Sequence, residues 1–264
     1  MFLAVKLKGL IMSHATSVIS KSRKSLLLGT SALVCLALAA PAMADDFVIT
    51  GSDGSTNGDI DANAINGGHT VTLGIALTTT ETATDAIFTT FDWNEVHLVS
   101  PGSISTLLNY SSGIYNSGSN NLVTASGNIS TTGEWATGIK NIGDDNKTTV
   151  SGSITTKKDN ASGIWNEGSD NTSTVSGSIK TEGDYAYGVR TSKKKGSTRS
   201  ENSIVVSGSI VTLGLNAYGI WNFGVDNITT VSGSIETTGD DAVGIWNEGN
   251  ENRTTVSDTG SIET

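Results

Sequence analysis

One cysteine, two prolines and three histidines occur in 264 residues, and aromatic residues make up only 6%. The cysteine, Cys35, lies in an apolar run near the N-terminus. The chain beyond that run therefore has no disulfide to brace it, although exported proteins often use them. Only His69 and His97 lie beyond residue 44, so a His-based triad would have to recruit one of the two. Neither shows a partner signal, and both read as solvated or capping residues. Basic charge is scarce as well. Five of the sixteen Lys and Arg residues, and none of the 26 acidic ones, lie in residues 1–44, which leaves a net charge of −15 beyond them. Such a surface repels nucleic acid and anionic lipid, so no nucleic-acid partner is expected.

What the chain has instead is a repeated phrase. The Gly of each Ser-Gly-Ser-Ile motif, or of its variant, falls at Gly102, Gly127, Gly152, Gly177, Gly208, Gly233 and Gly260, at intervals of 25, 25, 25, 31, 25 and 27 residues. Eleven residues after each of the first six comes a second Gly followed by Ile or Val: Gly113, Gly138, Gly163, Gly188, Gly219 and Gly244. The repeat has no apolar period of 3.6 residues over a helix length, which argues against helical repeats. Its Thr, Ser, Val and Ile runs suit strands. The Gly, Asp and Asn clusters between them suit turns with positive φ. Each copy is too short and too polar to bury a face alone, so copies must stack. The expected fold is all-β: a right-handed parallel β-helix, or β-solenoid, with coils of about 25 residues. A solenoid of other cross-section or a sandwich of hairpins ranks below it, because a sandwich does not require strict equivalence at 25 residues.

Stacking at about 4.8 Å per coil places each residue over its equivalent. Ile104, Ile129, Ile154, Ile179, Ile210, Ile235 and Ile262 form one apolar ladder; Ile114, Ile139, Ile164, Val189, Ile220 and Ile245 form another. Asn116, Asn141, Asn166, Asn222 and Asn247 either form an amide ladder or serve as turn residues.

Residues 1–44 read as a signal peptide. Lys21, Arg23 and Lys24 form its basic segment, Leu26 to Ala40 its apolar core, and Ala42-Met43-Ala44 a cleavage site with Asp45 as the first mature residue. Met12 is a plausible true start. Cys35 follows Val34, which is too bulky for a lipoprotein acceptor motif. Residues 45–100 are expected to form an N-terminal cap and imperfect coils, and residues 101–264 the repeat solenoid. One copy carries an insertion with Lys193, Lys194, Lys195 and Arg199. Insertions fall on one side of a solenoid, often the binding side, although a basic loop is more commonly just solvated. The sequence stops just after a Ser-Ile phrase, which reads as truncation of a longer array.

The leader, the acidic cysteine-free region and repeats of the form G-S-I-x-T-x-G-x-x-A-x-G-I together resemble the passenger region of Gram-negative autotransporters (type V secretion). The copies at residues 152–175 and 233–256 carry the resemblance most fully, and it extends over residues 12–264. It implies export through the Sec pathway to the cell surface, outer membrane or medium, with the periplasm as the destination if no translocator is present. It also implies an outer-membrane translocator, which is not encoded here. Passengers of this family are often adhesins, and some are proteases, esterases or toxins. The Gly-Asp-Ser-Gly nucleophile motif of the proteases is absent; Gly51-Ser52-Asp53-Gly54 has another order, and no G-x-S-x-G elbow occurs. The calcium-binding glycine-rich nonapeptide is also absent, and Asp144-Asp145-Asn146, Asp170-Asn171 and Asp240-Asp241 are explained by turn geometry. No catalytic residue, metal or cofactor is expected.

The best candidate for contact is a surface ladder. The residue after each Gly-Ile or Gly-Val is Tyr115, Lys140, Trp165, Arg190, Trp221 or Trp246. If Ile points inward, strand alternation turns this residue outward. The stripe suits a protein or glycan on a host or neighbouring cell. It also suits stacking of cations on rings between coils, with no ligand at all. A surface-displayed structural or adhesion protein is the leading expectation. A β-helix enzyme acting on surface polysaccharide and a truncated remnant without function are the alternatives.

Overall fold

The computed structural model describes residues 70–194, 196–197 and 200–264 and Gly68, with the backbone strands Ile19–Ser20, Arg23–Leu26, Asp46–Ile49, Ser55–Asn57 and Ile60–Asp61. The cleavage site at Ala44 and Asp45, the start at Met12, Cys35, His69, Lys195 and Arg199 lie outside the described residues. Every described element is a strand, and three sheets run the length of the molecule.

Each coil contributes one strand to each sheet. In one full coil, Ser153–Thr156 lies in the first sheet, Ile164–Glu167 in the second and Thr172–Val175 in the third. The sheets hold nine, eight and eleven strands respectively. Pairing between coils is parallel and in strict register: Ile129 faces Ile154, Ile139 faces Ile164, and Val150 faces Val175. This is the β-solenoid that the 25-residue period requires, with three strands per coil. The register continues upstream of Pro101, where Thr70–Leu73, Ala76–Thr79, Ile87–Thr90 and Glu95–Leu98 take their places in the same sheets. Asp46–Ile49 extends the third sheet further, and Arg23–Leu26 pairs parallel on its far side. Ile19–Ser20 pairs antiparallel beyond it, and cleavage after Ala44 would remove both strands.

The interior follows from alternation. Ile104, Ile129, Ile154, Ile179, Ile210 and Ile235 line the first sheet, and Ile114, Ile139, Ile164, Val189 and Ile220 the second, all at most 1% exposed. Val150, Val175, Val206 and Val231 close the triangle from the third. Both repeat glycines are explained by close approach. A Cβ at Gly127, Gly152, Gly177, Gly208 or Gly233 would collide with the carbonyl of the corresponding Gly one coil earlier. A Cβ at Gly138 or Gly163 would strike the Ile Cγ2 of the next first-sheet strand and the next Gly carbonyl.

The interior is also polar. Asn116, Asn141, Asn166 and Asn222 are buried beside the Ile columns. Asn116 donates Nδ2–H to Asn141 Oδ1 at 2.8 Å, Asn141 to Asn166 at 2.8 Å, and Asn222 to Asn247 at 2.8 Å. The amide ladder exists and points inward. It is also cross-braced to the third sheet: Asn141 bonds Thr148, Asn166 bonds Ser173, and Asn222 bonds Thr229. The coil that has Thr191 in place of Asn has Ile204 in place of that hydroxyl partner. A buried amide without partners is expensive, so the two positions change together.

Two corners join the sheets with left-handed residues. The corner between the first and second sheets holds Ala83, Tyr110, Trp135, Asn160, Tyr185, Asn216 and Asp241, with φ from 51 to 60°. The corner between the second and third holds Trp93, Asn120, Asp145, Asp170, Glu201, Asp226 and Glu251, with φ from 44 to 66°. Left-handed backbone costs a side chain other than Gly roughly 1–2 kcal/mol, least for Asn and Asp.

Candidate functional site

The stripe after each Gly-Ile lies on the outer face of the second sheet. Backbone register aligns Phe88, Tyr115, Lys140, Trp165, Arg190, Trp221 and Trp246 in one column. Phe88 stacks on Tyr115 with ring centroids 5.1 Å apart and 22° between planes. Lys140 Nζ lies 5.3 Å from the Tyr115 centroid and 4.2 Å from that of Trp165. Arg190 Cζ lies 4.4 Å from the Trp165 ring and 4.6 Å from that of Trp221. The column therefore alternates ring, cation, ring, cation, ring, each cation lying between two π faces.

The second half of the stripe widens. Tyr187 and Tyr218, which immediately precede their coils' Gly, lie 5.3 Å apart. Tyr187 lies 4.9 Å from Trp221, and Tyr218 stacks on Trp246 at 5.7 Å and 22°. Phe223 lies 6.2 Å from Trp221 on the same face. Phe88, Tyr187, Tyr218 and Phe223 were not in the sequence-derived stripe. Phe88 could have been found by aligning Ala-Ile-Phe with Gly-Ile-Tyr, which the missing Gly obscures. Tyr187 and Tyr218 sit two residues before the inward Val189 and Ile220, so alternation alone does not bring them to this face.

Burial sets the electrostatics of the stripe. Desolvation pulls the Lys140 ammonium below its usual pKa, with Glu167 and Asp85 partly restoring it and Arg190 opposing them. Desolvation also lowers Arg190, offset by Tyr187 and Glu167. It raises the Tyr115 phenol, helped by Asp85. The Asp85 carboxyl is pushed up by burial, although it accepts the Ser112 backbone N–H at 2.6 Å and lies in the field of Lys140. Trp165 donates its indole N–H to Ser192 Oγ at 3.2 Å, whereas Trp221 Nε1 and Arg190 Nε are shielded from solvent and lack a partner. The stripe thus has π edges, Tyr hydroxyls and partly hidden cations to offer a ligand, but no open charge.

The basic insertion lies on the corner between the second and third sheets. Ser192 pairs with Glu167, and the buried Ser200 accepts the Asp170 N–H as Ser169 accepts that of Asp145, so seven residues of sequence separate two positions that Gly168 alone separates in the preceding coil. Lys193 is half-buried and Lys194 exposed. The column of Asp145, Asp170, Glu201 and Asp226 runs along that corner. Desolvation and the carboxylates of Glu201, Asp145 and Asp144 raise the Asp170 carboxyl.

Sequence reasoning missed a second amide column at this corner. Asn121, Asn146, Asn171, Asn202 and Asn227 are buried, and each Oδ1 accepts the backbone N–H of the Asn one coil earlier, at 2.7–3.0 Å. Asp144 Oδ1 likewise accepts the Ser169 N–H at 2.8 Å. These Asp and Asn oxygens hold coils together. His97 lies on the outer face of the third sheet, 2.6 Å from Thr124 Oγ1 and 3.2 Å from Glu95 Oε2.

Compared with known proteins, the chain matches no family model, no curated sequence and no solved structure.

Proposed function

We propose that this chain is the exported region of an autotransporter-like protein and acts at the bacterial surface as a stiff display rod for adhesion. The single observation that supports contact is the outward stripe from Phe88 to Trp246, which occupies one sheet face along seven coils. Parallel stacking fixes the spacing of these side chains, so a partner meets a repeated pattern and gains from multivalent contact. The partner is a protein or glycan on a host or neighbouring cell, with nucleic acid disfavoured by the net charge of −10. The role is binding, not catalysis. An outer-membrane translocator completes the export route in this reading, and without one the rod resides in the periplasm.

The test uses the full chain coupled to beads and scored for attachment to cultured cells. Trp165→Leu plus Trp221→Leu should lower attachment at least tenfold at a temperature where both proteins keep the same circular dichroism. Equal attachment by the two folded proteins would remove the stripe as the contact face. Protease shaving of intact source cells, read with an antibody to the repeats, tests display: loss of signal supports it, and a protected signal refutes it.

A further inference from the structure

The corner between the first and second sheets carries aromatic residues where the backbone asks for something else. Asn160, Asn216 and Asp241 are residue types that tolerate left-handed φ, but Tyr110, Trp135 and Tyr185 occupy the same position at φ 60, 59 and 53°. Burial does not compensate them: they are 59, 44 and 47% exposed. Among the described residues, none of the three has a ring or cation stacked on it, in contrast to the second-sheet stripe. A strained residue that serves neither packing nor the backbone points to function.

Tyr110 and Trp135 belong to adjacent coils, with the Tyr110 N–H bonded to the Glu134 carbonyl at 2.8 Å. Leu107 and Leu108, 42 and 41% exposed, extend the same ledge. We propose that Tyr110 and Trp135 form a stacking platform for a neutral glycan laid along this corner. Their backbones lie one coil apart, about 4.8 Å, and the two unstacked rings offer apolar faces to the C–H side of sugar rings. Glu134 and Asn160 supply polar groups beside them for sugar hydroxyls. Glu134 and Asp159 at this corner are offset by the exposed Lys157 and Lys158 of the same turn, so the corner holds no excess positive charge for a sulfated or carboxylated sugar, and the net charge of −10 disfavours anionic lipid. The ledge is four apolar side chains, Leu107, Leu108, Tyr110 and Trp135, against the roughly 20–30 residues a side of a stable protein interface. This site is separate from the second-sheet stripe and does not depend on it.

The test replaces both rings with the residue the repeat itself uses at 160 and 216. The full chain carrying Tyr110→Asn and Trp135→Asn is compared with wild type and with the Trp165→Leu, Trp221→Leu protein on a printed array of neutral and anionic oligosaccharides. The expected result is a Tm equal to or above wild type, with binding to neutral oligosaccharides at least tenfold weaker, while the stripe variant still binds them. A fall in Tm would show that the rings brace the fold and would overturn the proposal. So would unchanged glycan binding, binding confined to anionic sugars, or no binding of wild type to any neutral oligosaccharide on the array.

Discussion

Two groups of aromatic residues in this protein lie in unlike places. On the second sheet, Trp165 and Trp221 enclose Arg190, and Lys140 lies between Tyr115 and Trp165, so each member is covered by the coils on either side. At the first corner, Tyr110, Trp135 and Tyr185 stand open on left-handed backbone. The inward Asn column resembles the first place: its amides satisfy one another between coils. The difference teaches that a residue's value in a stacked fold depends on its copies. A polar side chain can lie inside and a large ring outside if the neighbouring coils complete them.

The largest effect should come from breaking a closed ladder. Asn166 accepts from Asn141 and donates to Ser173, so Asn166→Leu should destabilise by about 3 kcal/mol, leaving buried polar groups unmatched. The denaturant midpoint measures this, and Asn166→Thr, the residue found at Thr191, should cost less. Next is the outer stripe: Arg190→Ala removes a cation from between two rings and should cost about 1–2 kcal/mol. If Trp135→Asn at the open corner costs as much, the contrast between closed and open columns fails.

Two smaller effects sharpen the contrast. Inside the first sheet, the hydroxyls of Thr106 and Thr131 lack a partner, whereas Thr181 Oγ1 donates to the Ala186 carbonyl at 2.9 Å. Thr131→Val should therefore stabilise by about 1 kcal/mol, while Thr181→Val should not, as thermal melts would show. The last effect is one of pH. Burial raises the Asp85 carboxyl above its unfolded value near 3.8. The folded state then holds its proton more tightly, so the burden on stability is present above the folded pKa and fades as pH falls through it towards 3.8. Asp85→Asn keeps an acceptor for Ser112 and should melt higher than wild type at pH 7, with the gap closing on acidification. Lys140 runs the other way: its lowered pKa burdens the fold below that value, and the burden lifts as pH rises from there towards 10.5.

Much of this was legible in the sequence because a repeat reports its own register. The intervals between Gly102 and Gly260 fixed which Ile stacks on which, and alternation after Gly-Ile placed Trp165 and Trp221 outside. The amide ladder at Asn116 to Asn166 stayed undecided until the structure showed which way the side chains point. The second amide column was hidden for a different reason. Asn146 and Asn171 sit in Asp- and Asn-rich turns, where local chemistry already accounts for them, and their bond to the previous coil exists only in three dimensions. The strain at Tyr110 and Trp135 was harder to see, since Asn160, Asn216 and Asp241 mark the position as one of positive φ only when the copies are aligned there.

The insertion at residues 193–199 has a mechanical consequence. Coils touch only their neighbours, so a rod pulled from its ends should unwind one coil at a time. Each 25-residue coil should release a tether of about 80 Å. The single 31-residue coil, ending at Gly208, should release roughly 20 Å more. A force trace of this protein would then carry its own landmark: one long tooth in a comb whose other teeth are nearly even.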